Sequence, residues 1–269
     1  MSALDFQALY AAERRRLKAL KQKKAPEKTQ QAPEPAQKPA QPDAHVSCLN
    51  ARTPRPTPIV LDALPTIAYA ADFVTEAEER ALVAAAEAGA DWVAVRGRRL
   101  RRLGGPAGEP GFAPEPLPAW AAELCAAAAT DDARGAPNHA LVNAYDFDAE
   151  PRPFVFPHTD GPAYDDRTAT LSCGADCVMT FSRRLAPEEV GVVAPSVACT
   201  VVLRRRSLLV FSGSAYAAHT HAIDAAESDV VAGDCANADL AGVAVGDVLP
   251  RRGLRHSFTL RRAKPIPSK

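Results

Sequence analysis

Hydrophobic and polar positions change their period twice along this chain. Over residues 4–24, Phe6, Leu9, Tyr10, Leu17 and Leu20 recur near helical spacing ahead of a run of lysines. That pattern predicts a short amphipathic helix with a basic end, read either as a solvated tail or as a helix that docks a protein partner. Periodicity then disappears. From Ala25 to Pro58 eight prolines stand among Gln, Ala, Lys and Thr. Such a stretch buries too little apolar surface to offset its ordering entropy, so residues 25–60 are expected to be a disordered linker and 61–269 the folded domain. Within that domain Thr66 to Tyr69 is a short strand candidate. Thr75 and Glu78 have capping-box spacing ahead of a helix running to about Ala88. An arginine-bearing loop over 96–102 ends in Gly104-Gly105, and Leu117 to Ala129 reads as a second helix.

From Ala140 the period shortens to that of strands. ALVNAY, FVFPH, TATLSC, CVMTF, ACTVVL, SLLVF, AYAAHTHAI and RHSFTL follow one another with turns between them. At least eight short strands with few helical signals describe a sandwich or barrel. Helices first and antiparallel strands afterwards give an α+β, mainly β layout with the helices packed outside the β core.

Composition refines this picture. The 269 residues hold 32 Lys+Arg and 32 Asp+Glu, a net charge of zero that argues against a uniformly basic nucleic-acid binder. The zero is an average, however. Residues 1–62 carry 11 basic and six acidic side chains, leaving 21 basic against 26 acidic beyond them. Five arginines without an acid fall in 96–102, and seven basic residues without an acid fall in 249–269. Between them, 222–250 holds six acidic residues and no basic one, and reads as a flexible loop. No apolar run approaches the roughly 18 residues of a membrane span, and no hydrophobic signal core is visible. Six scattered cysteines without a zinc-ribbon pattern point to free thiols in a reducing compartment, hence an intracellular chain of the nucleus or cytoplasm. A monomer without membrane contact is expected.

His158-Thr159-Asp160 is the first chemical candidate. On an extended segment, residues i and i+2 share a face, so an imidazole and a carboxylate converge on one point. One distant histidine would complete a two-His-one-carboxylate triad, which leaves positions open on Fe(II). His219 and His221 both follow the strand SLLVF, and strand periodicity does not separate them. In RHSFTLR, Arg255, Ser257, Thr259 and Arg261 share one face, and an arginine fork beside such a site suits capture of a carboxylate. Asn143 and Tyr145 place an amide and a phenol on another strand face.

Taken in order, Asn-x-Tyr at 143–145, HTDGP at 158–162, the strand before His221 and RHSFTLR at 255–261 resemble the AlkB-like family of Fe(II)- and 2-oxoglutarate-dependent dioxygenases. GRRLRRLGG at 97–105 and PEPLPAW at 114–120 further resemble its alkB homolog 6 branch, as does serine at 257. The resemblance implies a double-stranded β-helix (jelly-roll) core. It implies Fe(II) held by His158, Asp160 and His221, the last because His221-Ala222-Ile223 is similar to the family's His-Gly-Ile. It also implies 2-oxoglutarate as co-substrate, bound by Arg255 with Asn143, Tyr145 and Ser257, and O₂ as oxidant. Arg261 is expected either to hold the co-substrate's other carboxylate or to be structural. The implied reaction hydroxylates a C–H bond, which for an N-methyl group releases formaldehyde alongside succinate and CO₂.

Substrate choice is left to the arginines. Arg98, Arg99 and Arg101 are candidates for phosphate contact, which positions a nucleic acid without reading its sequence. Tyr164, Trp92 and Phe154 are candidates for stacking a base. The expected partner is therefore an alkylated nucleic acid, DNA or RNA. A protein side chain as substrate, or a non-catalytic binding module, are the alternatives.

Overall fold

The computed structural model describes residues 47–95, 97–105, 115–129 and 135–264. The amphipathic helix expected over 4–24 and most of the expected linker lie outside the described residues. The chain divides into two compact units. The described part of the smaller is Leu185–Pro195, a string of turns in which Ala186 N donates to Glu189 Oε2 (2.8 Å) and Glu189 N to Ala186 O (2.9 Å). The larger unit holds the other described residues.

Its centre is an antiparallel sheet of eight strands. β1 (Ile59–Val60), β2 (Ile67–Ala70), β10 (Leu208–Ser212), β7 (Tyr164–Gly174), β14 (Leu254–Ala263), β5 (His139–Asp146), β4 (Arg98–Leu103) and β3 (Val93–Val95) lie side by side in that order. A second antiparallel sheet contains β6 (Val155–His158), β11 (His219–Ile223), β8 (Cys177–Arg183) and β9 (Val197–Leu203). Helices α1 (Glu76–Glu87) and α2 (Ala119–Ala127) complete the layers. This is the double-stranded β-helix expected.

Period-two patterning assigns each face of the large sheet. On the helix side, Ala140 and Val142 of β5, Ala169 and Leu171 of β7, Leu208 of β10 and Phe258 and Leu260 of β14 form one core with Leu82, Trp120 and Leu124 of the helices. Trp120 meets Phe258 edge to face at 6.1 Å. On the other side, Tyr69, Tyr145, Leu209 and Phe211 pack against Met179, Phe181, Val201 and Ile223 of the small sheet. A sandwich with two cores places helices outside and a cleft inside, because each strand offers alternate residues to each. Gly174, at φ +80°, ends β7 where a Cβ would lie 2.2 Å from the Leu254 carbonyl oxygen, so the turn admits only glycine.

The capping box forms as the spacing predicts. Thr75 Oγ1 accepts from Glu78 N, and Thr75 N donates to Glu78 Oε2. Four expectations are corrected. The linker does not run to residue 60: Asn50 N and the Arg55 guanidinium both bind buried Glu78, at 2.8 and 2.6 Å, which ties this Pro-rich segment to α1. The arginine loop is β4, with Leu100 and Leu103 buried, because ion pairs compensate the arginines that its outer face presents. Within AYAAHTHAI only His219–Ile223 is strand, while Gly213–Ala217 makes a helical turn, α3.

The fourth correction concerns the acidic segment, expected to be flexible. It contains β12 (Ser228–Val230), α4 (Ala238–Ala241) and β13 (Val248–Pro250). Asn237 pairs with both Val202 backbone groups at 2.9 Å, so the segment covers the edge strand β9. Asp229 binds buried Arg251 twice, at 2.5 and 2.7 Å. Glu227, Asp234 and Asp247 likewise accept hydrogen bonds, from Arg152, Thr200 and Ala244 N. No disulfide links any of the six cysteines, and burial pushes Cys125 up to about 12.

Candidate active site

The cleft between the sheets holds an open pocket. Its lining comes from both: Asn143, Tyr145, Thr168, Arg255, Ser257 and Arg261 from the large sheet, His158, Met179 and His221 from the small one, with Arg98 of β4.

His158, Asp160 and His221 offer ligand atoms within 4.8 Å of one another, the sole such group among the described residues. Asp160 Oδ1 lies 4.0 Å from His158 Nε2 and 3.8 Å from His221 Nε2. Register explains the choice between histidines. β11 pairs with β6 so that His221 sits opposite His158, whereas His219 sits opposite Arg183 on the other neighbour, β8. His219 bonds the Ser214 carbonyl (2.9 Å) and is outside the group.

The electrostatics suit a cation. His158 Nδ1 donates to the Phe156 carbonyl at 2.8 Å, because a carbonyl only accepts, and this turns the bare Nε2 inward. Burial pushes the His221 imidazole down to about 3, with the His158 ring adding to the effect. Burial also lowers His158, against the pull of Asp160. Burial alone would raise Asp160, but Arg261, His221 and the Thr168 hydroxyl outweigh it and hold the carboxyl below its usual range. At neutral pH the three present two lone pairs and one negative charge, the donor set of a divalent ion.

Beside them stands a built anion site. Arg255 is 1% exposed and gives one bond, from Nη2 to Ser172 Oγ at 3.0 Å. Its Nε and Nη1 are buried with no partner. An unpaired buried guanidinium is costly, and a carboxylate is its natural complement. Asn143 Nδ2 reaches Ser257 Oγ at 3.5 Å, and Tyr145 lies 5.2 Å from the Arg255 guanidinium and 5.8 Å from that of Arg98. The residues present therefore fit both a metal ion and an anionic co-substrate. Arg261 is held by the triad, with Nη2 2.5 Å from Asp160 Oδ1.

The expected substrate contacts separate by face. Arg98 lines the pocket, with Nη1 donating to the Phe154 carbonyl at 2.8 Å. Arg99 and Arg101 point to the helix side, where Arg99 pairs with Glu87 (2.8 Å) and Arg101 with Asp91 (2.5 Å). They are corrected to structural roles. Trp92 packs under Arg99 at 4.7 Å on that same side. Tyr164 is buried, its ring 4.9 Å from Arg261 and 5.3 Å from His139, so it backs the site and offers no stacking surface. Phe154 meets Phe156 edge to face at 4.7 Å, next to the His158 ligand segment. Thr168, Thr170 and Ser172 also line or brace the site and were not singled out from the sequence. Their signal was the polar alternation in TATLSC, an inward polar face on an otherwise buried strand.

A cleft of this kind, a histidine–carboxylate triad beside an arginine in a double-stranded β-helix, defines a metal-dependent oxygenase fold with an anionic co-substrate. Comparison with known proteins identifies which. Over 215 residues the chain is 32% identical to a Danio rerio protein named probable RNA/DNA demethylase ALKBH6, covering 77% of this chain and 90% of that one. It is 34% identical over 134 residues to the Macaca fascicularis tRNA (carboxymethyluridine(34)-5-O)-methyltransferase ALKBH8, covering 49% of this chain and 18% of that larger protein. Among solved structures, OsALKBH1 superposes with a TM-score of 0.46 at 15% identity, covering 74% of this chain and 98% of the other. No family model matches. The chain belongs to the AlkB-like family of Fe(II)- and 2-oxoglutarate-dependent dioxygenases.

Proposed function

We propose that this dioxygenase oxidatively demethylates alkylated nucleic acid, DNA or RNA, with release of succinate, CO₂ and formaldehyde. The observation that carries the reading is the cluster of His158, Asp160 and His221 next to a buried arginine with two unpartnered nitrogens. His158, Asp160 and His221 would hold Fe(II). Arg255, with Asn143, Tyr145 and Ser257 around it, would bind one carboxylate of 2-oxoglutarate. Together with O₂ these would supply an oxidant able to hydroxylate a C–H bond, and on an N-methyl group that hydroxylation would end in loss of formaldehyde.

The chain's own residues bind, orient and exclude water. Arg255 matches the co-substrate's charge inside a cleft whose apolar lining includes Met179, Phe211 and Ile223. The Phe156 carbonyl keeps His158 in the ligand tautomer. Arg98 adds a cation at the pocket for a phosphate, and the Phe154–Phe156 pair offers apolar surface for a base. A duplex base would have to flip out to reach a site set between the two sheets, so single-stranded or mismatched substrates should react faster. An intracellular setting, nucleus or cytoplasm, goes with this reading.

A panel of N-methylated DNA and RNA oligonucleotides tests it, read by mass for loss of a methyl group and by succinate formation. Methyl loss that requires Fe(II) and 2-oxoglutarate supports the reading. Succinate formation unaffected by every oligonucleotide would contradict it. That second outcome points to a protein side chain as substrate, an alternative favoured by one observation: Arg99 and Arg101 are spent on Glu87 and Asp91 and leave Arg98 alone in the pocket from that trio.

A further inference from the structure

Strand β7 supplies none of the residues assigned above to iron or 2-oxoglutarate, yet its inner face touches both halves of the site. Thr168 is 1% exposed, sits opposite Arg261 in register, and donates its hydroxyl to Asp160 Oδ2. Four residues along the same face, Ser172 is fully buried, sits opposite Ser257, and accepts from Arg255 Nη2 at 3.0 Å. Residues between them on the other face, Ala169 and Leu171, belong to the helix-side core. β7 is thus bonded to the carboxylate and to the arginine through two separate hydroxyls.

We propose that β7 is the positioning strand of this site, with Thr168 fixing the Asp160 carboxylate for the metal and Ser172 fixing the Arg255 guanidinium for the co-substrate. The proposal rests on the reading of the pocket as an Fe(II) and 2-oxoglutarate site. Asp160 follows β6 on a loop, so its strand does not dictate its orientation. With Oδ2 held by Thr168, Oδ1 is the oxygen turned toward both Nε2 atoms; it also accepts from Arg261 Nη2, so the carboxylate presents to an ion one oxygen that it shares with that arginine. With Nη2 held by Ser172, Arg255 keeps Nε and Nη1 as the donors left for a carboxylate. Loss of a partner behind a metal ligand typically costs about 10- to 100-fold in affinity.

The test is anaerobic calorimetry with Mn(II) as a non-oxidising probe, followed by 2-oxoglutarate on the Mn(II)-saturated protein. Thr168→Val should weaken Mn(II) binding by about 10-fold or more, and Thr168→Ser should restore most of it. Ser172→Ala should leave Mn(II) affinity close to wild type and weaken 2-oxoglutarate by about 10-fold, the loss of one bond to a charged group. If Thr168→Val does not fold, Thr168→Ala carries the same expectation, and failure of both to fold would mark a purely structural residue and overturn the proposal. Wild-type affinities in both variants, or equal loss of both ligands in each, would overturn it too. Wild-type protein that takes up no Mn(II) would instead defeat the metal-site reading, and this inference with it.

Discussion

Strands β4 and β14 lie on either side of β5, and both are rich in arginine. In β14, Arg255 and Arg261 are six apart, an even number, so both face the cleft. In β4 the arginines come as the doublets 98–99 and 101–102, and alternation splits each doublet across the sheet. Arg98 reaches the pocket, while Arg99 and Arg101 turn to α1 and the loop after it, where Glu87 and Asp91 neutralise them. The two strands have similar composition and opposite uses. Parity, more than charge density, decides whether an arginine-rich run becomes a binding site.

Removing the cleft-facing charge should have the largest effect. Arg255→Ala is expected to weaken 2-oxoglutarate binding by more than about 30-fold in calorimetry, since it deletes a buried charged partner. Retention within a few-fold would show that β14 does not bind the co-substrate. On the opposite face of the same strand, Phe258→Ala should cost about 3–5 kcal/mol of stability in denaturant unfolding, because it empties a site under Trp120. A loss below about 1 kcal/mol would mean that the helix-side core is not anchored there.

The same contrast within β4 should be smaller. Arg98→Gln is expected to raise the KM for a methylated oligonucleotide by roughly ten-fold, the scale of one charge-assisted contact. Arg99→Gln should leave KM unchanged and cost under about 1 kcal/mol of stability, as partly exposed ion pairs do. Equal effects on KM would erase the distinction between the two faces.

Smallest at neutral pH is the acid response of the Pro-rich segment. Burial would raise the Glu78 carboxyl, but Arg55 and the Thr75 and Asn50 backbone groups bring it from 4.5 down to about 2. A depressed folded-state pKa contributes stability above the unfolded value and loses it as pH falls toward the folded one. Unfolding free energy should therefore fall between about pH 4.5 and 2, and Glu78→Gln should flatten that part of the profile. An unchanged slope in the variant would detach residues 50–55 from α1.

Much of this was legible beforehand. The capping box and the strand succession are local features fixed by spacing alone; His158 and Asp160 stand out as a pair in the sequence, but Asp160 lies past the end of β6 and is oriented by Thr168 and Arg261. Strand periodicity could not separate His219 from His221, because they share a face and both pair with β8, while only His221 is also met by β6. That is a tertiary register, set by β6 reaching His221 and no further. The arginine doublets and the acidic segment misled for one common reason. A charged residue reads as solvent-exposed until its partner is known, and the partners Glu87, Asp91 and Arg251 lie 10 to 22 residues away in sequence. Thr168 and Ser172 went unnoticed because hydroxyls on a strand carry no charge to mark them.

The central claim is that His158, Asp160 and His221 hold Fe(II) beside an Arg255-bound 2-oxoglutarate. Anaerobic addition of Fe(II) and 2-oxoglutarate, followed by visible absorbance, tests it most directly. The account predicts a metal-to-ligand charge-transfer band that persists in His219→Ala and vanishes in His221→Ala. Absence of the band in the wild-type protein, or its loss in His219→Ala with retention in His221→Ala, would contradict it.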